Sequence, residues 1–307
     1  MSRNAEIIVI VVTYNGLQWI DRCLGSVADP RGAIHTVVVD NGSTDGTVEA
    51  IKARFPDVEL ILPEKNLGFG HANNLGMKIA LDRKAEFVFL LNQDAWLQPG
   101  ALETMLESAR KYPAYGILSP IHLNGAGTGL DYDFSKYVVP TKCPGFYSDL
   151  AVGQIKSDPY PLPFVNAAVW LVTARCLNVV GGFNPSFFHY GEDDNYIQRC
   201  AYHGFLIGVS AKAIAHHDRE TRSVNKYFDP EVLELRRSVL NYSDPRTMLD
   251  PVAEKRNLVR RIIQRTISLQ RTELKKALSK RKVLLDTPID KVLDNRKKSL
   301  RVGPTFL

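Results

Sequence analysis

The apolar positions of the first hundred residues fall into short unbroken runs separated by stretches of helical spacing. Ile7 to Val12 is a continuous Ile/Val run of the kind found in strands buried on both faces. Leu17 to Ser26 then groups Trp19, Ile20, Cys23 and Leu24 on one helical face. His35 to Asp40 is a second buried run, ending in Asn-Gly and Asp-Gly turn chemistry. Thr47 to Phe55 reads as a helix, Val58 to Pro63 as a strand, Gly70 to Lys84 as a helix and Glu86 to Asp94 as a fourth strand. This β-α-β-α-β-α-β order predicts an α/β fold: a mostly parallel central sheet flanked by helices, with ligands at the carboxyl ends of its strands.

Residues 113–165 are rich in Gly, Pro and Tyr with weak periodicity, which predicts loops and short strands rimming a site. Phe164 to Phe183 resumes with a strand and a short helix closed by Gly181-Gly182. Residues 187–207 give an acidic turn and a helix, and Phe205 to Ser210 a further strand, with His216 and His217 just past it. From about residue 230 the pattern is helical and basic, dividing the chain into a body, 1–228, and an extension, 229–307.

Composition changes this picture mainly at the tail. The 307 residues, 45% hydrophobic and 23% charged, support a sizeable core. No run reaches the roughly 18–20 apolar residues of a membrane span. The four cysteines, Cys23, Cys143, Cys176 and Cys200, lack metal-ligand spacing. These features, with no signal peptide, predict a reduced, cytoplasmic setting. The net charge of +6 is uneven, because residues 251–307 hold 16 Lys and Arg against 5 Asp and Glu. There Leu258, Ile262 and Leu269, with Val259, Ile263 and Ile267, form an apolar stripe amid Arg260, Arg261, Arg265, Arg271, Lys275 and Lys276. Two readings fit: a helical pair packed on the body or on a second subunit, or a helix lying peripherally on anionic lipid. No recognition motif accompanies the charge, so nucleic acid is not an expected partner.

Chemistry gathers at the strand ends. Thr13, Tyr14 and Asn15 end the first strand, Asp40 and Asn41 the second, and Asn92, Gln93 and Asp94 the fourth. Each alone reads as an Asx turn or cap; three on one sheet edge point to a site. Lys65 to Gly76, "KNLGFGHANNLG", can turn backbone N–H groups toward phosphate or ribose. Neither GxGxxG nor GxxxxGK[ST] is present, which argues against a dehydrogenase or an ATPase. Glu192, Asp193 and Asp194 follow the aromatic "FFHY"; helix capping is the plainer reading, and proton acceptance from a hydroxyl the functional one. His216 and His217 beside Asp218 and Arg219 suit a metal or phosphate position.

As an ordered set, "VVTYN", "VVVDNGSTDGT", "NLGFGHANNLG", "LLNQDAWL", "GEDDNYIQR" and the "HH" element resemble the family 2 inverting glycosyltransferases of the GT-A (Rossmann-like) fold, over roughly residues 6–222. Within that family the chain looks most like bacterial rhamnosyltransferases. The resemblance implies a GT-A nucleotide-sugar-binding and catalytic domain over 1–228. It implies that Thr13 and Asp40 contact nucleobase and ribose with Tyr14, Asn15 and Ser43 nearby, and that Asn66, Gly68 and Asn73 shape the ribose and phosphate side. Asn92, Gln93 and Asp94 stand at the DxD strand end, with Asp94 as ligand to Mg²⁺ or Mn²⁺ bridging the diphosphate. Asp193 is implied as general base, Asp194 as its alternate beside Glu192, and His217 or His216 as completing the metal site. Asn92 departs from the family's DxD, keeping an oxygen ligand but not a charge, so metal dependence stays open. The implied reaction moves a sugar, rhamnose from dTDP-rhamnose, to a bacterial cell-surface polysaccharide or lipid-linked glycan. A sugar nucleotidyltransferase and a non-catalytic nucleotide- or glycan-binding module are the rivals.

Overall fold

The computed structural model describes residues 7–29, 33–219 and 230–307. Its first half follows the hydrophobic runs. Strands β1 (Ile7–Thr13), β2 (Ile34–Asp40), β3 (Glu59–Ile61) and β4 (Phe87–Asn92) are joined by helices α1 (Ile20–Gly25), α2 (Thr47–Arg54) and α3 (Gly68–Asp82). They lie in the order β3-β2-β1-β4, all parallel. Register does the functional work: Thr13 pairs with Asp40 and Val12 with Asn92, so the polar strand ends line up on one edge. Gly76 lets α3 sit against β1, since a Cβ there would lie 2.7 Å from Ile10 side-chain carbons.

Beyond β4 come β5 (Ala95–Leu97), α4 (Ala101–Lys111), β6 (Tyr115–Asn124), α5 (Tyr132–Tyr137), α6 (Phe146–Ala151) and β7 (Tyr160–Pro161). They are followed by β8 (Val169–Thr173), α7 (Ala174–Val180), α8 (Glu192–Tyr202) and β9 (Leu206–His217). The sheet continues β4-β8-β6-β9-β5, with β7 against β9. The expected parallel sheet is present in β3-β2-β1-β4 and again in β6 with β9, and β8, antiparallel to both β4 and β6, makes the whole sheet mixed. Residues 113–165 are also more regular than expected, holding the ten-residue β6 and two short helices. Gly116 and Pro120 hide that strand from periodicity; both stand where its pairing with β9 shifts register. The histidines are likewise not past a strand but close β9, opposite Trp96 and Ala95 of β5. Apolar cores fill both faces, one around Ile8, Trp170 and Phe183, the other around Val9, Phe89 and Met105.

The extension forms α9 (Pro230–Ser243), α10 (Pro251–Ile267), α11 (Arg271–Asp286) and α12 (Ile289–Ser299). Asp250 caps α10 through the Val252 amide at 2.8 Å, with Pro251 in its first turn. Val239, Tyr242, Leu258, Leu284 and Val292 share a third core with Phe187 of the body. The boundary expected at 228/229 lies outside the described residues. The last residues return to the body: Gly303 donates to the Val179 carbonyl at 3.0 Å, and Gly182 to that of Thr305 at 2.8 Å. Buried Arg199 donates to the Val180 and Gly182 carbonyls and lies 4.8 Å from the Phe306 ring.

Candidate active site

The loop after β2 is built around one carboxylate. Asp40 Oδ2 accepts from the Thr13 hydroxyl at 2.7 Å and the Ser43 hydroxyl at 2.5 Å, and Oδ1 from the Gly42 and Ser43 amides. With four donors, Asp40 orders the loop at the end of β2. Asn15, at φ 51, ties the same loop to β1: its amide donates to Ser43 Oγ and its side chain accepts from the Thr44 amide, each at 2.8 Å. Gln93 clamps both backbone groups of Tyr14, accepting from its N–H at 2.8 Å and donating to its carbonyl at 3.1 Å. Tyr14 leaves its ring exposed.

Asn41 reaches from β2 to the glycine-rich loop, accepting from the Leu67 amide at 3.1 Å and donating to the Gly68 carbonyl at 3.3 Å. Asn66 accepts from the Gly68 amide at 2.8 Å. Gly68 has φ +75, and a Cβ there would stand 2.1 Å from the Phe188 carbonyl oxygen, so this loop touches the segment leading to the acids. Asn73 instead turns back into α3, donating to the Phe69 carbonyl at 3.0 Å.

Adjacent residues of a strand face opposite sides, and β9 separates its two histidines accordingly. His216 stacks on Trp96, centroids 5.1 Å apart, and turns away from Asp94. His217 sits with Nε2 3.5 Å from Asp94 Oδ1 and Nδ1 3.5 Å from Asp131 Oδ2, all three residues buried. Asp131 is the residue that sequence reasoning missed. The turn at 124–129 folds the chain back to place it, with the Asp131 amide on the His122 carbonyl at 2.9 Å, and its carboxylate then caps α5 through the Phe134 amide at 2.8 Å. Burial opposes ionisation of Asp131, but hydrogen bonds from His217 and the Phe134 amide, with the Arg219 charge, hold it well below the usual carboxylate range. Burial, and then the neighbouring His217, hold His122 down to about 3, so its ring is neutral. Behind the pair, the Asp218 amide donates to the Asp94 carbonyl at 2.8 Å and Trp19 Nε1 to Asp218 at 2.9 Å.

The acids open α8 behind Gly191, at φ +92. Burial, and then the charge of Asp193, push Glu192 up to about 8. The same causes raise Asp194 to about 7. Asp193 is raised by burial too, against hydrogen bonds from the Asp194 and Ala167 amides. Their surroundings divide them. Arg236 of α9, 5.0 Å over the Tyr190 ring, lends its charge to Glu192 and Asp194, whereas Asp193 feels Arg219. Ala167 adjoins Ala168, whose carbonyl takes the Asn92 amide at 2.8 Å, so Asp193 stands beside the end of β4.

The structure thus gathers a loop around Asp40, a glycine-rich helix start, the Asp94–His217 pair and an acid turn on one sheet edge. The family model for glycosyl transferase family 2 matches residues 8–165, about half the chain. The chain belongs to that family. Among relatives of this glycosyltransferase is the N-acetylglucosaminyl-diphospho-decaprenol L-rhamnosyltransferase of Mycobacterium tuberculosis, 28% identical over 233 residues, covering 68% of this chain and 75% of the relative. Staphylococcus aureus TarS 1–349 in complex with UDP superposes with a TM-score of 0.55 at 17% identity, covering 96% of this chain and 90% of that one. GalNAc-T7 with UDP, GalNAc and Mn²⁺ gives 0.53 at 15% identity, over 80% of this chain and 52% of that one. The fold is therefore that of the GT-A glycosyltransferases.

Proposed function

We propose that the enzyme transfers a sugar from a nucleoside-diphosphate donor to a glycan hydroxyl in one inverting displacement. The observation that carries this reading is the meeting of two chemistries at one strand end: Asp94 with His217 at the end of β4, and Asp193 beside that end on the Ala167 amide. The loop around Asp40, with Thr13, Tyr14, Asn15 and Ser43, receives the nucleoside. Asn66 and Gly68 shape the phosphate side, and Asn73 supports it from within α3.

A divalent cation fits the pair. Among the described residues no group of three or more His, Cys, Asp and Glu side chains could hold a metal, so the protein offers two ligands and the diphosphate would supply others. With Nδ1 toward Asp131, the His217 Nε2 lone pair and the Asp94 carboxylate converge on one buried point 3.5 Å across, a place for positive charge. Bound there, Mg²⁺ or Mn²⁺ would offset the charge developing on the departing diphosphate. Asn92 carries an amide rather than a second carboxylate at this strand end.

In the reaction Asp193 takes the acceptor hydroxyl's proton as the oxygen bonds to the anomeric carbon. The bond to the diphosphate breaks on the opposite face, and its electron pair leaves with the nucleotide. Asp194 and Glu192, raised by burial and by the charge of Asp193, surround the base. The name of the mycobacterial relative supports rhamnose as the sugar and a lipid-diphosphate-linked glycan as acceptor. Incubating the full chain with a panel of nucleotide-sugars, with and without Mg²⁺ or Mn²⁺, tests this. Binding and slow hydrolysis of dTDP-rhamnose are expected; binding of no nucleotide-sugar would favour a non-catalytic glycan-binding module instead.

A further inference from the structure

The hairpin of α10 and α11 presents features the transfer reaction does not use. It joins the rest of the protein through Leu258 and Leu284, and most of both helices faces solvent. Its turn, at Ser268 to Gln270, carries apolar side chains outward: Ile263 is 55% exposed, Ile267 78% and Leu269 83%. Val259 and Val252 extend the same exposed stripe down α10. The stripe legible in the sequence is therefore mostly not buried against the body; Leu258 turns inward and Ile262 is half-buried.

Around that apolar tip the charge is nearly all of one sign. Residues 255–282 hold eleven Lys and Arg and one acid, Glu273, which is paired with Lys276 at 2.8 Å. Arg260, Arg261 and Arg271 are exposed beside the tip, and Arg265 is half-buried against Gln270. Apolar residues at the point of a hairpin, ringed by cations, match the layering of an anionic bilayer, where hydrocarbon lies beneath phosphate. A second copy would bring the same cationic collar against itself, and a polynucleotide would leave the apolar trio unused.

We propose that the α10–α11 hairpin tip docks on an anionic lipid surface, with Ile263, Ile267 and Leu269 entering below the headgroups and Arg260, Arg261 and Arg271 lying among the phosphates. This names the lipid contact and does not depend on the identity of the donor. Deleting residues 251–307 would be a poor test, because Leu258, Leu284 and the returning segment 303–307 pack on the body. Point variants at exposed positions avoid this.

The test is flotation of the full chain with phosphatidylcholine vesicles, and with the same vesicles carrying phosphatidylglycerol. Wild type is expected to float only with the anionic set, and less as salt rises. The triple variant Ile263→Ser, Ile267→Ser, Leu269→Ser should lose at least about tenfold in partitioning. Arg260→Gln or Arg271→Gln should each lose about fivefold, the factor for about 1 kcal/mol per cation. Ile267→Trp should show a blue-shifted emission on anionic vesicles alone. Thermal midpoints and donor hydrolysis without vesicles should be unchanged in all of these. The proposal is overturned if wild type does not float, or if the triple variant floats equally well. It is also overturned if wild type is a dimer in light scattering that the triple variant converts to monomer.

Discussion

Asp193 and Asp131 carry the sharpest residue-scale expectations. If Asp193 takes the acceptor proton, Asp193→Asn should lower kcat by about 10²- to 10⁴-fold while leaving the KM for donor nearly unchanged. Asp194→Asn, facing Arg236, should cost much less; the reverse ranking in steady-state assays would move the base by one residue. Asp131→Asn keeps the cap's shape but weakens the grip on His217 Nδ1. Affinity for Mn²⁺ in the presence of nucleoside diphosphate should then fall by about 10- to 100-fold, measured by titration calorimetry. Asp131 was invisible in the sequence because it sits in an aperiodic stretch and meets a histidine eighty-six positions later in the chain. His216 shows the converse: two adjacent histidines read alike until strand alternation sends one onto Trp96 and the other to Asp94.

At the scale of elements, glycines fix how the parts meet. Gly181 has φ +78, and a Cβ there would lie 2.1 Å from the Thr305 carbonyl oxygen. Gly181→Ala should push segment 303–307 off α7 and lower the thermal midpoint by more than about 3 °C, read by calorimetry. Gly68→Ala should instead weaken donor binding, because the glycine-rich loop must pass against Phe188. Sequence periodicity located β1 to β4 and α2 to α3 within a few residues, since each is an apolar run, short in β3, or one helical face. It misjudged β6 and the reach of β9, where Gly, Pro and His interrupt the apolar pattern while the backbone ladder continues.

For the whole molecule, pH should move stability and activity in opposite directions between about 6.5 and 8, above the range in which the depressed His122 pulls stability the other way. Glu192 keeps its proton to about 8 in the fold, whereas an unfolded glutamate releases it near 4.3. A raised carboxyl gives the folded state more protons over that interval. Its contribution to stability is complete below about pH 4 and is lost as pH rises through 8. Transfer by a carboxylate base rises with pH over the range in which the acid cluster ionises, so the rate should climb from about pH 6 to 8. Thermal midpoints and pH–rate profiles read the two trends, and Glu192→Gln should flatten the first.

The sequence alone determined the order of apolar runs, hence the parallel half-sheet and the edge where its polar ends meet. Those depend on local spacing and on burial of Ile and Val, which a linear pattern records. It also determined the family, through motifs in order, and the basic character of the tail. Tertiary structure decided what depends on facing: which histidine meets Asp94, that Asp131 stands behind it, and that Arg236 of the extension opposes Glu192 and Asp194. It also decided that Ile263, Ile267 and Leu269 point outward. Those facts come from chain reversals and strand alternation that bring distant residues together, and no local pattern encodes such contacts.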